Sequence, residues 1–338
     1  MEISTKSSKS RSANMDLLRI LAMLTIICYH ITTHGVLVQI TTGEYFHHPV
    51  VYGKLFIITV IRTFGLVSNN IFLLISGYFM VNRVKMQGNP IDLKKTSKKL
   101  VLQVVFSAVL LVLVSSVARI VMGAKITAHG ISVFNTMSWY VGYYLAVITV
   151  AALFLNNFLF SLDKNRHAAF ILVLFACVSF TWTNQVLSAI SDGLPIFLLG
   201  VLLYSVGGYV RRFNPFENVR TYVPVVIIAL VYVFVCISQY TTTVTDIDNF
   251  LMGDTSKPFF QPINYPMPCD AVPFVLSVCV FELFRRVHIP NSKLITFLSS
   301  ATFMIYLFHD NEFFTASGCC TIGWRRCTTL RCYSYCSL

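Results

Sequence analysis

The chain has 338 residues, 56% hydrophobic and 12% charged, about half the charged share of a soluble globular domain, with a mean hydropathy of +0.69. That excludes an ordinary soluble enzyme: the apolar content, which includes 28 Phe and 16 Tyr, exceeds what a soluble core can hide, so lipid is the solvent for much of the surface. The formal charge of +12 comes from 26 Lys and Arg against 14 Asp and Glu; in a soluble protein it would suggest nucleic acid, but its placement points to membrane topology instead.

A helix crossing about 30 Å of hydrocarbon needs about 20 mostly apolar residues, because lipid satisfies no backbone polar group. Residues 1–16 are polar and form an N-terminal tail. Apolar windows then fall at 18–39, 55–81, 100–122, 138–160, 168–183, 194–210, 221–240, 269–285 and 294–310, predicting an all-α polytopic membrane protein, a bundle of about nine to ten transmembrane helices. The first window is too long for the apolar region of a signal peptide and lacks a small-x-small cleavage site, so it reads as a retained span. The fifth, sixth and ninth windows are short. Asp192 and Pro195 interrupt the apolar run between the fifth and sixth, which leaves a re-entrant pair open there.

Seventeen Lys and Arg gather in the tail and in alternate loops, among them Lys94, Lys95, Lys98, Lys99, Arg211, Arg212, Arg285 and Arg286. The intervening loops hold Lys54, Lys125 and Lys257 and collect Asp246, Asp248 and Asp254. By the positive-inside rule the N-terminus is cytoplasmic, the protein is a multi-pass component of a cell membrane, and nucleic acid is not an expected partner. Segments 41–54 and 241–270 then face outward, with Pro-rich 258–273 the clearest extended loop. No repeat of fixed period is visible.

Composition changes after Phe314. Five of the ten cysteines, Cys319, Cys320, Cys327, Cys332 and Cys336, fall in the last 20 residues with Arg325, Arg326 and Arg331. Their spacing does not match paired Cys-x2-Cys zinc ligands. Residues 315–338 read either as an aberrant segment from a shifted frame or truncation, or as a short disulfide-bonded tail.

Ionisable groups inside an apolar span are costly and become functional candidates. Arg19 and His30 share the first window. Eleven steps of about 100° return to within about 20° of the starting face, and at about 1.5 Å per residue the two are separated by about 16 Å along the axis. They read as a pair facing one groove, or as a snorkelling anchor and an outer cap. His30 and His34 are spaced as two metal ligands, but a third is not nearby, so no metal is expected. A histidine is also the usual general base near neutral pH. Ser76-Gly77-Tyr78 follows an apolar run; Ser-Gly in a membrane helix is ordinarily a close-packing position, and the Gly-x-Ser-x-Gly elbow of serine hydrolases is absent. Trp139 and Tyr140 open the fourth window and fit an interfacial aromatic belt. His309, Asp310 and Asn311 close the ninth, where they could hold a sugar hydroxyl or cap a helix.

In this order the pieces resemble the membrane acyltransferase-3 superfamily, in particular its bacterial branch that O-acetylates surface polysaccharides. The matching residues are Asp16-Leu-Leu-Arg19 followed by His30 (the family's Arg-x10-His pattern), Phe72 with Ser76-Gly77-Tyr78, Trp139-Tyr140, Gly207-Gly208-Tyr209 before Arg211-Arg212, and Ile305 through Asn311. The resemblance covers about Asp16 to Phe314 and implies a membrane-embedded acyltransferase domain over 17–314, in the bacterial cytoplasmic membrane, with about ten helices and a cytoplasmic N-terminus. It implies acyl-CoA, usually acetyl-CoA, as a donor substrate rather than a permanently bound cofactor, and an extracytoplasmic glycan as acceptor. His30 and Arg19 are the expected catalytic pair. Arg19, Arg211 and Arg212 are expected to bind the donor phosphates, with Lys98 and Lys99 as further candidates. Ser76, Tyr78, Trp139, Tyr140, His309, Asp310 and Asn311 are expected to bind the acceptor or to be structural. His30 acts as general base or carries the acyl group itself. The other readings are a transporter or flippase for a lipid-linked glycan, whose mark would be inverted repeats with paired broken helices, and an inactive truncated acyltransferase.

Overall fold

The computed structural model describes residues 12–32, 65, 67–81, 92–122, 139–191, 193–252 and 271–309, and the described residues form helices without strands. In chain order they are α1 (Ala13–His30), α2 (Val67–Met80), α3 (Leu93–Met122), α4 (Trp139–Val150), α5 (Asn156–Ser161), α6 (Lys164–Ser179), α7 (Thr181–Ile190), α8 (Leu194–Phe213), α9 (Tyr222–Leu251), α10 (Ala271–Arg286) and α11 (Lys293–His309). A π-helical turn, Ala151–Leu155, joins α4 to α5 without interrupting the rod, and such widened turns need a local reason to persist.

The termini follow from short polar residues. Asp163 accepts the Arg166 amide at the start of α6, Asp92 accepts that of Lys95 before α3, and Pro195 sits in the first turn of α8. Asn214, at φ 42°, ends α8 in the left-handed conformation that Gly or Asn takes at a helix end.

The polar and apolar surfaces are arranged for lipid. Val101, Leu102, Val105, Phe106, Val109 and Leu113 face outward from α3, as do Val225, Leu230, Val233 and Phe234 from α9. Asp16, Ser76, Asn156, His167, Ser277 and Glu282 are buried inside the bundle. Apolar residues outside and hydrogen-bonded polar residues inside invert the soluble pattern. Four helical stretches, Ala13–His30, Leu93–Val114, Tyr140–Ser161 and Leu194–Phe213, are long and apolar enough to cross a membrane; Val67–Met80, Tyr222–Ser238 and Lys293–His309 are shorter apolar helices.

The core centres on α2, whose Leu73, Leu74 and Ile75 have no exposed surface and pack with Val147 and Ile148 of α4 and Leu202, Leu203 and Tyr204 of α8. Helix α1 lies against α10 and α11, α6 against α7 and α8, and α9 against α10. Two glycines set the crossing of α2 and α8. A methyl group on Gly77 would come 2.0 Å from the Tyr204 carbonyl oxygen, and one on Gly207 would come 2.2 Å from that of Leu74. The backbones touch there, as small residues allow between membrane helices.

Helix is found among the described residues of each of the nine apolar windows, but several boundaries differ. Helix α1 begins at Ala13 because its first turn, Ala-Asn-Met-Asp, is polar and invisible to a hydropathy window. The fifth window is divided: the chain turns extended at Phe180 (φ −84°, ψ 125°) and restarts as α7. The predicted outer loop beginning at 241 is helical to Leu251, since α9 continues past its apolar part. His34, Lys54, segment 41–54, residues 253–270, Asp310, Asn311 and tail 315–338 lie outside the described residues.

Candidate functional site

Helices α1 and α2 run antiparallel, joined midway by a hydrogen bond between the hydroxyls of Thr25 and Ser68. They define two polar ends. At the first, Asp16 is 1% exposed and accepts two hydrogen bonds, from Arg19 Nη1 at 2.8 Å and from Ser299 Oγ of α11 at 2.8 Å. A buried carboxylate needs such partners, and the pairing fixes the guanidinium of Arg19 against the ring of Phe79, 5.9 Å from its centroid.

On the neighbouring face of α2, the Tyr78 hydroxyl accepts from Arg211 Nη1 at 3.2 Å while the guanidinium carbon lies 5.0 Å from the ring centroid. Arg211 is exposed on α8. Arg212 is turned the other way and donates to the carbonyls of Leu159, Phe160 and Leu162. It satisfies the last carbonyls of α5, a fork-shaped C-cap that Lys could not reproduce. Of the two adjacent arginines, Arg211 therefore presents the cation and Arg212 holds the fold. Lys98 and Lys99 are exposed on the peripheral helix α3.

A third group at this end was not singled out from the sequence. Glu282 of α10 is 3% exposed and is held by Arg285 through Nε at 2.7 Å and Nη2 at 2.8 Å, and by Arg286 Nε at 2.6 Å. Arg286 also donates to the Val219 and Phe216 carbonyls, so the α8–α9 connection is tied to α10. Asn14 Nδ2 donates to the Phe284 carbonyl at 2.9 Å and ties in α1. The available signal was a lone carboxylate inside the apolar run Val272–Phe284, the same intramembrane-charge rule that singled out Arg19.

The other end is aromatic. The rings of His30 and His309 meet edge to face with centroids 5.0 Å apart. His309 packs on Tyr306 at 5.4 Å and Tyr306 on Tyr140 at 5.7 Å. Tyr140 also meets Phe72 at 6.3 Å and donates its hydroxyl hydrogen to the Asn69 carbonyl at 3.2 Å. Ser76 lies below this cluster, its Oγ 2.8 Å from the Phe72 carbonyl and 3.2 Å from the Tyr144 hydroxyl. That is the geometry of a packing serine rather than a nucleophile, which would need a base in reach. Trp139 opens α4, and its side chain lies outside the described residues.

The structure thus brings His30, His309 and Tyr140 to one end, and Arg19, Tyr78 and Arg211 to the other, with Ser76 between them against Tyr144. Tyr78 lies about 3 Å along the axis from Ser76 but on a different face of α2, because two helical steps turn it toward Arg211. Among the described residues no group of three or more His, Cys, Asp or Glu could hold a metal ion. A guanidinium fixed near one end of α1 and an imidazole pair at the other lie about 16 Å apart along its axis; the first suits an anionic group and the second suits proton transfer.

Residues 12–316 match the acyltransferase-3 family, described as an acyltransferase domain. No curated protein and no solved structure matches the chain. Since the matched stretch takes in nearly all of the chain and every residue of both ends, the chain belongs to the acyltransferase-3 family and is a membrane acyltransferase.

Proposed function

We propose that the protein transfers an acetyl group from acetyl-CoA to a hydroxyl of a cell-surface polysaccharide or its lipid-linked precursor, in a bacterial cytoplasmic membrane. On this reading the N-terminus and the Arg19 end face the cytoplasm, nine to ten helices cross the bilayer, and His30 lies toward the outer side. The alternation of Lys and Arg along the loops supports that orientation.

The observation that carries the proposal is the placing of Arg19 and His30 at opposite ends of one helix face, each held by α11: Arg19 through Asp16 and Ser299, His30 through His309. The nucleotide of the donor carries several negative charges, and the guanidinium groups of Arg19 and Arg211 suit its phosphates as charge-assisted donors. An extended pantetheine arm is of the same order as the roughly 16 Å between Arg19 and His30, which brings the thioester to the imidazole. His30 takes the proton of the acceptor hydroxyl while the hydroxyl oxygen attacks the thioester carbonyl. The carbon–sulfur bond then breaks, and CoA leaves as the thiol with that proton. Meeting at His30 gives the thioester and the hydroxyl the proximity such a reaction requires.

The test is surface-glycan O-acetyl content in cells lacking the gene, with and without the plasmid-borne wild-type chain. Restoration by the chain supports the proposal. Unchanged O-acetyl content with the protein present in the membrane contradicts it.

A further inference from the structure

The contact between His30 and His309 has a consequence for the proton. His309 Nδ1 lies 2.6 Å from the carbonyl oxygen of Tyr306, one turn back on the same helix. A carbonyl only accepts, so the hydrogen of that bond sits on Nδ1, and a neutral His309 carries its lone pair on Nε2. The same bond ties the ring to the backbone of α11 one turn back, which fixes its orientation. The ring so fixed is in edge-to-face contact with His30, at 5.0 Å between centroids and 74° between planes. The titratable groups facing the pair are Tyr29 on α1, whose ring is 5.3 Å from His30, and Tyr306 on α11, itself against Tyr140 of α4.

We infer that His309 is the proton-sharing partner of His30: the Tyr306 carbonyl holds it in the tautomer whose lone-pair nitrogen stabilises the positive charge that His30 acquires when it takes the acceptor proton. The inference rests on the acetyl-transfer reading. In the transfer step the O–H bond of the acceptor breaks, the new O–C bond forms, and the proton rests on the histidine pair. When the C–S bond breaks, the proton passes from the pair to the CoA sulfur, and the pair returns to neutrality. His309 acts through His30 rather than on the acceptor, and in that sense is a positioning residue.

The experiment uses the full chain in inverted membrane vesicles from the source cells, which carry the native acceptor, with [14C]acetyl-CoA added outside. His309→Asn keeps an amide donor for the Tyr306 carbonyl but removes the lone-pair nitrogen. His309→Ala removes both and leaves a ring-sized space. The expected result is a kcat lowered about 10- to 100-fold in both variants, with KM for acetyl-CoA within twofold of wild type. Added imidazole restores the alanine variant, whereas pyrrole, of the same shape but without a basic nitrogen, does not. Wild-type kcat in His309→Asn, or equal restoration by pyrrole and imidazole, would overturn the inference while leaving acetyl transfer standing. Vesicles in which the wild-type chain transfers no acetyl would remove the acetyl-transfer reading and this inference with it.

Discussion

The crossing of α2 and α8 gives the most quantitative prediction. A methyl group introduced by Gly77→Ala would lie 2.0 Å from the Tyr204 carbonyl oxygen and 2.8 Å from its carbon. An ordinary carbon–oxygen contact is about 3.3 Å, so the two helices must part locally by about 1 Å. The atoms struck are backbone, which cannot rotate away, and the neighbouring Leu74, Ile75, Leu203 and Tyr204 are fully buried. A radial gap of about 1 Å forfeits up to about half of each dispersion contact along the seam. The cost belongs at the upper end of the overpacking range, about 2–3 kcal/mol. Gly142→Ala is the matched control: that glycine also lies within a helix, is exposed, and has nothing within 4 Å of the added methyl. There the change removes only the helix penalty of glycine, a gain of up to about 1 kcal/mol. Heating purified protein in detergent and measuring the fraction that stays monodisperse should show a midpoint lowered by several degrees for Gly77→Ala and unchanged or raised for Gly142→Ala. Equal midpoints for the two variants would refute the tight crossing and the account of why glycines stand in both motifs.

Two further predictions concern groups that hold the fold around the site. Glu282→Gln takes the buried carboxylate from the partly buried Arg285 and Arg286; losing charge-assisted hydrogen bonds of this kind costs about 1.5–3 kcal/mol, so the variant should melt below wild type in detergent, and an unchanged midpoint would contradict the role of Glu282. On the lipid-facing side, a fluorophore on Phe106→Cys of α3, a residue 58% exposed, should be quenched by spin-labelled lipid tails; lack of quenching would contradict the orientation of that helix.

Much of the architecture was legible because lipid imposes a strict rule: a helix in hydrocarbon must be apolar outside, and the nine windows followed from that alone. The rule says nothing about polar helix ends, so the first turn of α1 and the last turns of α9 were lost. It also cannot see a break between two apolar helices, as at Phe180. For the site, Arg19 and His30 stood out because charge and imidazole are rare within such windows, and His309 because it closes one. Their contact was not legible, since sequence spacing carries no information between α1 and α11. The Ser-Gly-Tyr and Gly-Gly-Tyr motifs were visible separately, while their meeting at Gly77 and Gly207 depends on how α2 crosses α8. Glu282 is obscured for a different reason: Arg285 and Arg286 fit the topology rule as loop charges, although their spacing of three and four residues from Glu282 pairs them with it. Arg212 shows the converse, a cation that sequence assigns to a ligand and tertiary structure commits to the end of α5.

The central claim is that acetyl transfer runs through His30. Its most direct test measures transfer from [14C]acetyl-CoA to glycan in inverted vesicles containing equal amounts of wild-type or His30→Ala protein. The account predicts labelled glycan with wild type and a loss of at least about 100-fold with His30→Ala; transfer at the wild-type rate by a folded, inserted His30→Ala protein would contradict it.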